Sequence, residues 1–254
     1  MDHLTFEMIA FLLGAGFLAA FIDSCVGGGG LVSVPALMLT GLPLPVVLGT
    51  NKLAACMSVT VSSWSFFRSG NIRGRLVAVL FPLSFVGSVL GAMAVKHVPT
   101  WFLRPLVIVL LAAVLAYTLL KKEWGSISTY KGLSRNAAMA SVATAFGIGL
   151  YDGFFGPGTG SFLIFAFLMM GFDFVTAAGN AKVLNLASNL AAVVAFALMH
   201  SIDYRYGLVM GGGMIAGALV GSRLAITKGV AYVRPLFIGV TVVMIGKLVW
   251  DLLK

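Results

Sequence analysis

Runs of apolar residues separated by short polar stretches recur along the whole chain. They fall at about 5–24, 44–67, 76–95, 101–120, 136–155, 174–199, 206–226 and 231–253. Each approaches the roughly 20 residues that an α-helix needs to cross a hydrocarbon core. Two shorter runs, 31–41 and 161–171, hold 11 residues each. At about 1.5 Å per residue they reach only half-way across. The ten-residue alternation of outer-membrane barrels is absent. The pattern predicts an all-α integral membrane protein with full crossings and two broken or re-entrant half-helices.

The two short runs expose a repeat. "GLPLPVVLGTNKL" (41–53) lies against "GFDFVTAAGNAKV" (171–183), with Gly41, Gly49 and Lys52 matching Gly171, Gly179 and Lys182, 130 positions apart. The same spacing joins Ser58 to Ser188, Ile72 to Ile202, Arg75 to Arg205, Gly87 to Gly217, Gly91 to Gly221, and "FLRPL" (102–106) to "YVRPL" (232–236). Asp23 meets Asp152 at 129, because the second glycine loop, "GPGTG" (156–160), is one residue longer. The expected organisation is therefore a first repeat at 1–120, a linker at 121–135 and a second repeat at 136–254, within one transmembrane domain.

Four full crossings per half would make the repeats parallel, and an odd number would invert them. The loop "FRSGNIRGR" (67–75) and the linker are the richest in Lys and Arg. The positive-inside rule puts both in the cytoplasm and, with an even count, both termini beside them. Against this, Arg223, Lys228 and Arg234 fall on the supposed outside. Trp101, Trp124 and Trp250 stand near segment ends, as interfacial aromatics do.

Composition strengthens the membrane reading. The chain is 60% hydrophobic and only 10% charged, with mean hydropathy +1.04, whereas soluble domains carry about 25% charged residues. The net charge of +9 sits mostly in loops, without the contiguous basic face of a nucleic-acid binder. Cys25 and Cys56 have no metal-ligand spacing and read as small buried residues. His3, His97 and His200 lie at segment ends, so no paired haem ligands or HExxH zinc site is predicted. No cofactor is expected. Neither a GxSxG elbow nor a phosphate-binding GxxxxGK[ST] loop occurs, which argues against an enzyme. The first apolar segment lacks the basic flank and cleavage site of a signal peptide and is read as retained.

Away from loops and segment ends, four charges stand near the broken regions: Asp23, Lys52, Asp152 and Lys182. One reading is structural, with each Asp paired to a Lys of either repeat. The lysines could also snorkel toward an interface. The functional reading follows from intramembrane charge being a functional site by default: two lysines attract an anion, while Asp23 and Asp152 act as counter-ions or proton carriers. Gly27, Gly28, Gly29 and Gly30 in one break, and Gly156, Pro157 and Gly158 in the other, let backbone leave the helix and approach a ligand. The half-helix after each break then offers free N–H groups and a positive dipole end. Polar residues gather beside the lysines: Thr50 and Asn51 in one half, and Asn180, Asn185, Ser188 and Asn189 in the other. Residues 182, 185 and 189 share one helical face, which suggests a cavity wall rather than isolated interhelical hydrogen bonds. The Gly87/Gly91 and Gly217/Gly221 pairs suit close helix packing instead.

"FIDSCVGGGGLVSVPALMLTGLPLPVVLGTNKL", "YDGFFGPGTGSFLIFAFLMMGF" and "NAKVLNLASN" resemble the two signature regions of the TauE/SafE (TSUP) family of sulfite and organosulfonate exporters, over nearly the whole chain. The resemblance implies an inner-membrane transporter handling sulfur-containing anions. It points to Asp23, the Gly27–Gly30 run, Asn51 and Lys52, and to Asp152, Gly153, Gly156, Pro157, Asn180 and Lys182. The halves differ where TNK (50–52) becomes NAK (180–182), so a strictly symmetric site is not expected. The predicted function is secondary transport of a small anion by alternating access, with protons as a candidate coupling ion. An anion channel and a non-transporting membrane scaffold are the rivals. A homo-oligomer is compatible with the sequence, which does not specify one.

Overall fold

The computed structural model describes residues 5–95, 103–120, 125–130, 132 and 135–253. Trp101, Trp124, His3 and His97 lie outside the described residues. Ten helices follow in order: α1 Phe6–Val26, α2 Gly30–Met38, α3 Leu44–Arg68, α4 Gly74–Ala94, α5 Leu103–Leu120, α6 Arg135–Phe154, α7 Thr159–Met169, α8 Phe174–Leu198, α9 Tyr204–Lys228 and α10 Val230–Leu253. There is no strand among the described residues. Among the described residues six helices are long and apolar enough to cross a membrane: α1, α3, α4, α8, α9 and the Val230–Lys247 part of α10. The protein is therefore a multi-pass membrane protein.

Local chemistry sets the helix ends. Thr5 caps α1 by accepting from the Met8 N–H at 3.3 Å. Asp173 accepts from Val175 and Thr176 at the start of α8, and Asp203 from Arg205 and Tyr206 at the start of α9. Such caps satisfy N–H groups that have no partner within the helix. α2 and α7 are short, 9 and 11 residues. Each is bounded by glycines at positive φ, Gly27 (79°) and Gly28 (89°) before α2, Gly156 (94°) and Gly158 (89°) before α7. These angles are open to glycine and strained for other residues.

Close contacts give the helix directions. Gly87 and Gly91 of α4 face the carbonyls of Phe146 and Leu150 of α6, so a Cβ there would stand 2.3 and 2.0 Å from oxygen. Gly217 and Gly221 of α9 face the carbonyls of Phe17 and Phe21 of α1 at 2.1 and 2.5 Å. Both glycine pairs are packing devices that let backbones touch. In each case residue numbers rise together, so α4 runs parallel to α6 and α1 to α9. Gly207 meets Leu53 and Gly211 meets Met57, which makes α3 parallel to α9. Ser84 and Ser88 donate to the carbonyls of Leu184 and Ser188, which makes α4 parallel to α8. Gly49 instead packs on Phe196 and Gly179 on Phe66, so α3 and α8 are antiparallel.

Consequently α1, α3 and α9 point one way and α4, α6 and α8 the other. Segments matched at a spacing of 130, such as α3 with α8 and α4 with α9, run in opposite directions. The loop charges favour an even count, and the helix directions match an odd one instead. The reason lies in α2: it turns the chain back, so α1 and α3 share a direction and the half gains an odd leg. The start of α1 therefore stands at the end opposite the 68–75 loop, not beside it as expected. The same directions remove the charge conflict. Arg223 and Lys228 at the end of α9 share an end with Arg68, Arg73 and Arg75, while Glu7, Asp203 and Arg205 mark the other.

Candidate functional site

The two glycine breaks meet. A Cβ on Gly27 would lie 2.2 Å from the Ser161 nitrogen, and one on Gly30 would lie 3.3 Å from Cα of Pro157. The Ser161 hydroxyl donates to the Val26 carbonyl at 3.1 Å. The starts of α2 and α7 are thus brought together. The N–H groups of Gly28 and Gly30, and of Gly158 and Gly160, have no hydrogen-bond partner among the described residues. Each helix start carries about half a positive charge from its aligned peptide dipoles, so two starts placed together repel one another unless negative charge lies between them.

Beside them is a cavity whose space for water centres is about 40 Å³. That is room for about three waters, the scale of a small oxyanion. Of the residues singled out from the sequence, Asp23, Gly28, Gly29, Gly30, Asn51, Lys52, Asp152, Gly156, Gly158, Asn185 and Asn189 line it. Ser33, Ser58 and Thr159 also line it and were not singled out as site residues. Ser58 was within reach of sequence reasoning, since it matches Ser188. Ser33 donates to Asn51 Oδ1 at 2.6 Å, and the Asn189 amide donates to Asn185 Oδ1 at 2.7 Å.

Both lysines are buried, Lys52 to 3% and Lys182 to 1% exposure, so neither snorkels. Each pairs with the acid of the other half. Lys52 Nζ lies 2.7 Å from Asp152 Oδ1, and Lys182 Nζ lies 2.5 Å from Asp23 Oδ2. Lys182 also donates to the Asp23 main-chain carbonyl. The second oxygen of Asp23 accepts from the Gly29 N–H at 3.3 Å. The second oxygen of Asp152 is buried with no partner among the described residues. Contacts of Phe66 with Gly179 and of Phe196 with Gly49 fix the relative heights of α3 and α8. Lys182 stands beside the level of residue 63, so the two lysines are separated by about 16 Å along the helices. The ion pairs bracket the cavity, Asp23–Lys182 toward the basic end and Asp152–Lys52 toward the other.

Other predicted site residues do structural work. Thr50 Oγ1 accepts from the Asp203 N–H at 2.9 Å, and Asn180 Oδ1 accepts from the Arg73 N–H at 2.8 Å. Positions 50 and 180 therefore bind the loops before α9 and α4 and do not line the cavity. This explains why TNK and NAK differ without upsetting the lysines. The Ser188 hydroxyl donates to the Asn185 carbonyl at 3.1 Å. Gly27 serves the contact between breaks. Pro157 packs on Gly30 and accepts from the Tyr151 hydroxyl. Lys182 reaches the cavity only through Asp23.

Comparison with known proteins places the chain. The family model described as Sulfite exporter TauE/SafE matches residues 12–248. A probable membrane transporter protein, ORF9, of Sinorhizobium sp is 35% identical over 99% of this chain and 96% of its own length. A probable membrane transporter protein of Haemophilus influenzae is 36% identical over 96% of both chains. The probable membrane transporter protein YfcA of Escherichia coli K12 is 36% identical over 96% of this chain and 90% of its own. No solved structure matches. With these matches running nearly end to end, the chain belongs to the TauE/SafE family of membrane transporters.

Proposed function

We propose that the protein is a secondary transporter that carries a small sulfur oxyanion or organosulfonate across the inner membrane by alternating access. The observation that carries this reading is the meeting of two helix starts, with free N–H groups, at a polar cavity bracketed by two lysines. The ion pairs cancel the four side-chain charges among themselves, which leaves the dipoles to bias the cavity toward anions. The cavity's size favours sulfite-like ions over longer sulfonates.

In this reading the halves are inverted repeats, each giving one re-entrant half-helix, and they rock against one another. The ion pairs are the two gates. When a substrate anion competes for Lys52 or Lys182, or a proton neutralises the paired acid, the gate at that level opens. Protons are thus the proposed coupling ion.

The test is flux of sulfite, thiosulfate, sulfoacetate and taurine in proteoliposomes, with Lys52→Ala and Lys182→Ala. Saturable flux with counterflow in the wild type, and its loss in both variants when compared per amount of reconstituted protein, is expected. Full flux in both variants would sink the site. Unsaturable flux without counterflow would make the protein a channel.

A further inference from the structure

Away from the central cavity, a groove of about 770 Å³ opens outward between the C-terminal halves of α3 and α9. Its sides are Trp64, Leu219 and Val220, exposed to 60%, 52% and 44%. Among its lining residues are Arg68, whose guanidinium lies 5.9 Å over the Trp64 ring, and Arg223. Among the described residues no acidic side chain lines the groove, and neither arginine pairs with a carboxylate. The groove shares no residue with the central cavity. Arg68 and Arg223 belong to the basic end of the molecule, where helices meet the water interface.

We propose that this groove binds an anionic phospholipid of the surrounding bilayer. Its apolar walls take the acyl chains, and the two guanidiniums take the phosphate. Guanidinium suits phosphate because its fork of N–H donors matches two oxygens. Trp64 stands where an amphipathic ring bridges chain and headgroup, and its stacking holds Arg68 over the groove. A zwitterionic lipid brings its own cation to the same place and cancels the attraction. A second copy of this chain is the poorer occupant, since a two-fold contact through this face would set the arginine pair against itself.

Native mass spectrometry of the purified full chain, equilibrated with equal phosphatidylglycerol and phosphatidylcholine, tests this. Retention of phosphatidylglycerol over phosphatidylcholine is expected. Each basic contact near a membrane surface is worth about fivefold in affinity, so Arg68→Gln with Arg223→Gln should lower phosphatidylglycerol retention about 25-fold. Phosphatidylcholine binding should not change. Arg68→Lys with Arg223→Lys keeps the charge and should keep most of the preference, which guards against a folding artefact. Equal retention of the two lipids by the native protein overturns the proposal, as does undiminished retention in the glutamine variant. A dimer that the glutamine variant abolishes would assign the groove to a second copy and also overturn it.

Discussion

The two ion pairs have the same chemistry and different surroundings. In Asp23–Lys182 every charged atom is occupied: one acid oxygen takes the ammonium, the other a backbone N–H, and the lysine gains a main-chain carbonyl. In Asp152–Lys52 one oxygen is left without a partner, and both side chains are at most 4% exposed. The acid of the first pair is 15% exposed. Two positions matched in sequence thus differ in how completely each is satisfied. A satisfied buried pair resists opening, and an incompletely satisfied one is poised to take another partner.

Removing each lysine in turn tests that contrast. Lys52→Ala leaves Asp152 buried and wholly unpaired, a loss of about 3–5 kcal/mol for an ionised acid, and a large fall in thermal midpoint is expected. Lys182→Ala should cost less, because Asp23 keeps its backbone donor and is closer to solvent. Equal losses in the two variants would erase the distinction. Replacing both partners, Lys52→Met with Asp152→Leu, should restore stability without restoring flux, since well-packed apolar pairs tolerate such exchange.

A smaller effect compares packed glycines with free ones. Gly91→Ala pushes a methyl to 2.0 Å from the Leu150 carbonyl, whereas Gly14 has nothing within 4 Å. The first change should destabilise by about 1–3 kcal/mol, as overpacking does, and Gly14→Ala should leave the thermal midpoint unchanged. The smallest expected effects come from the loop anchors. Thr50→Val removes the acceptor of the half-buried Asp203 N–H, at a cost of about 0.5–1.5 kcal/mol. Asn180→Leu strands the Arg73 N–H but also removes an amide nitrogen that is already unpartnered. Its loss should be the lesser of the two in the same melting assay. A larger loss at Asn180 would mean that its amide has a role beyond the loop.

Much of this was legible before any coordinates, because burying charge in apolar sequence is costly enough to mark its place. Asp23, Lys52, Asp152 and Lys182 stood out for that reason, as did the breaks at Gly27–Gly30 and Gly156–Gly158. Which acid meets which lysine was not legible. That depends on helix heights set by contacts such as Phe66 on Gly179, and nothing local encodes them. The direction of the halves is not legible, because hydropathy counts apolar length. A 9-residue helix reverses the chain as effectively as a full crossing while looking like half of one. Thr50, Asn180 and Ser188 cannot be told from lining residues in the sequence, because a polar residue in an apolar helix looks alike whether it lines a cavity or holds a loop.

Pairing across the halves also imposes an order on synthesis. Lys52 waits for an acid 100 positions later, and Asp23 waits for a lysine 159 positions later. At about 5–20 residues per second, the first helices enter the bilayer many seconds before either partner exists. During that interval the nascent first half holds one cation and one anion that no finished contact neutralises. A ribosome stalled near the linker would therefore leave a fragment marked by its own unpaired charge as incomplete.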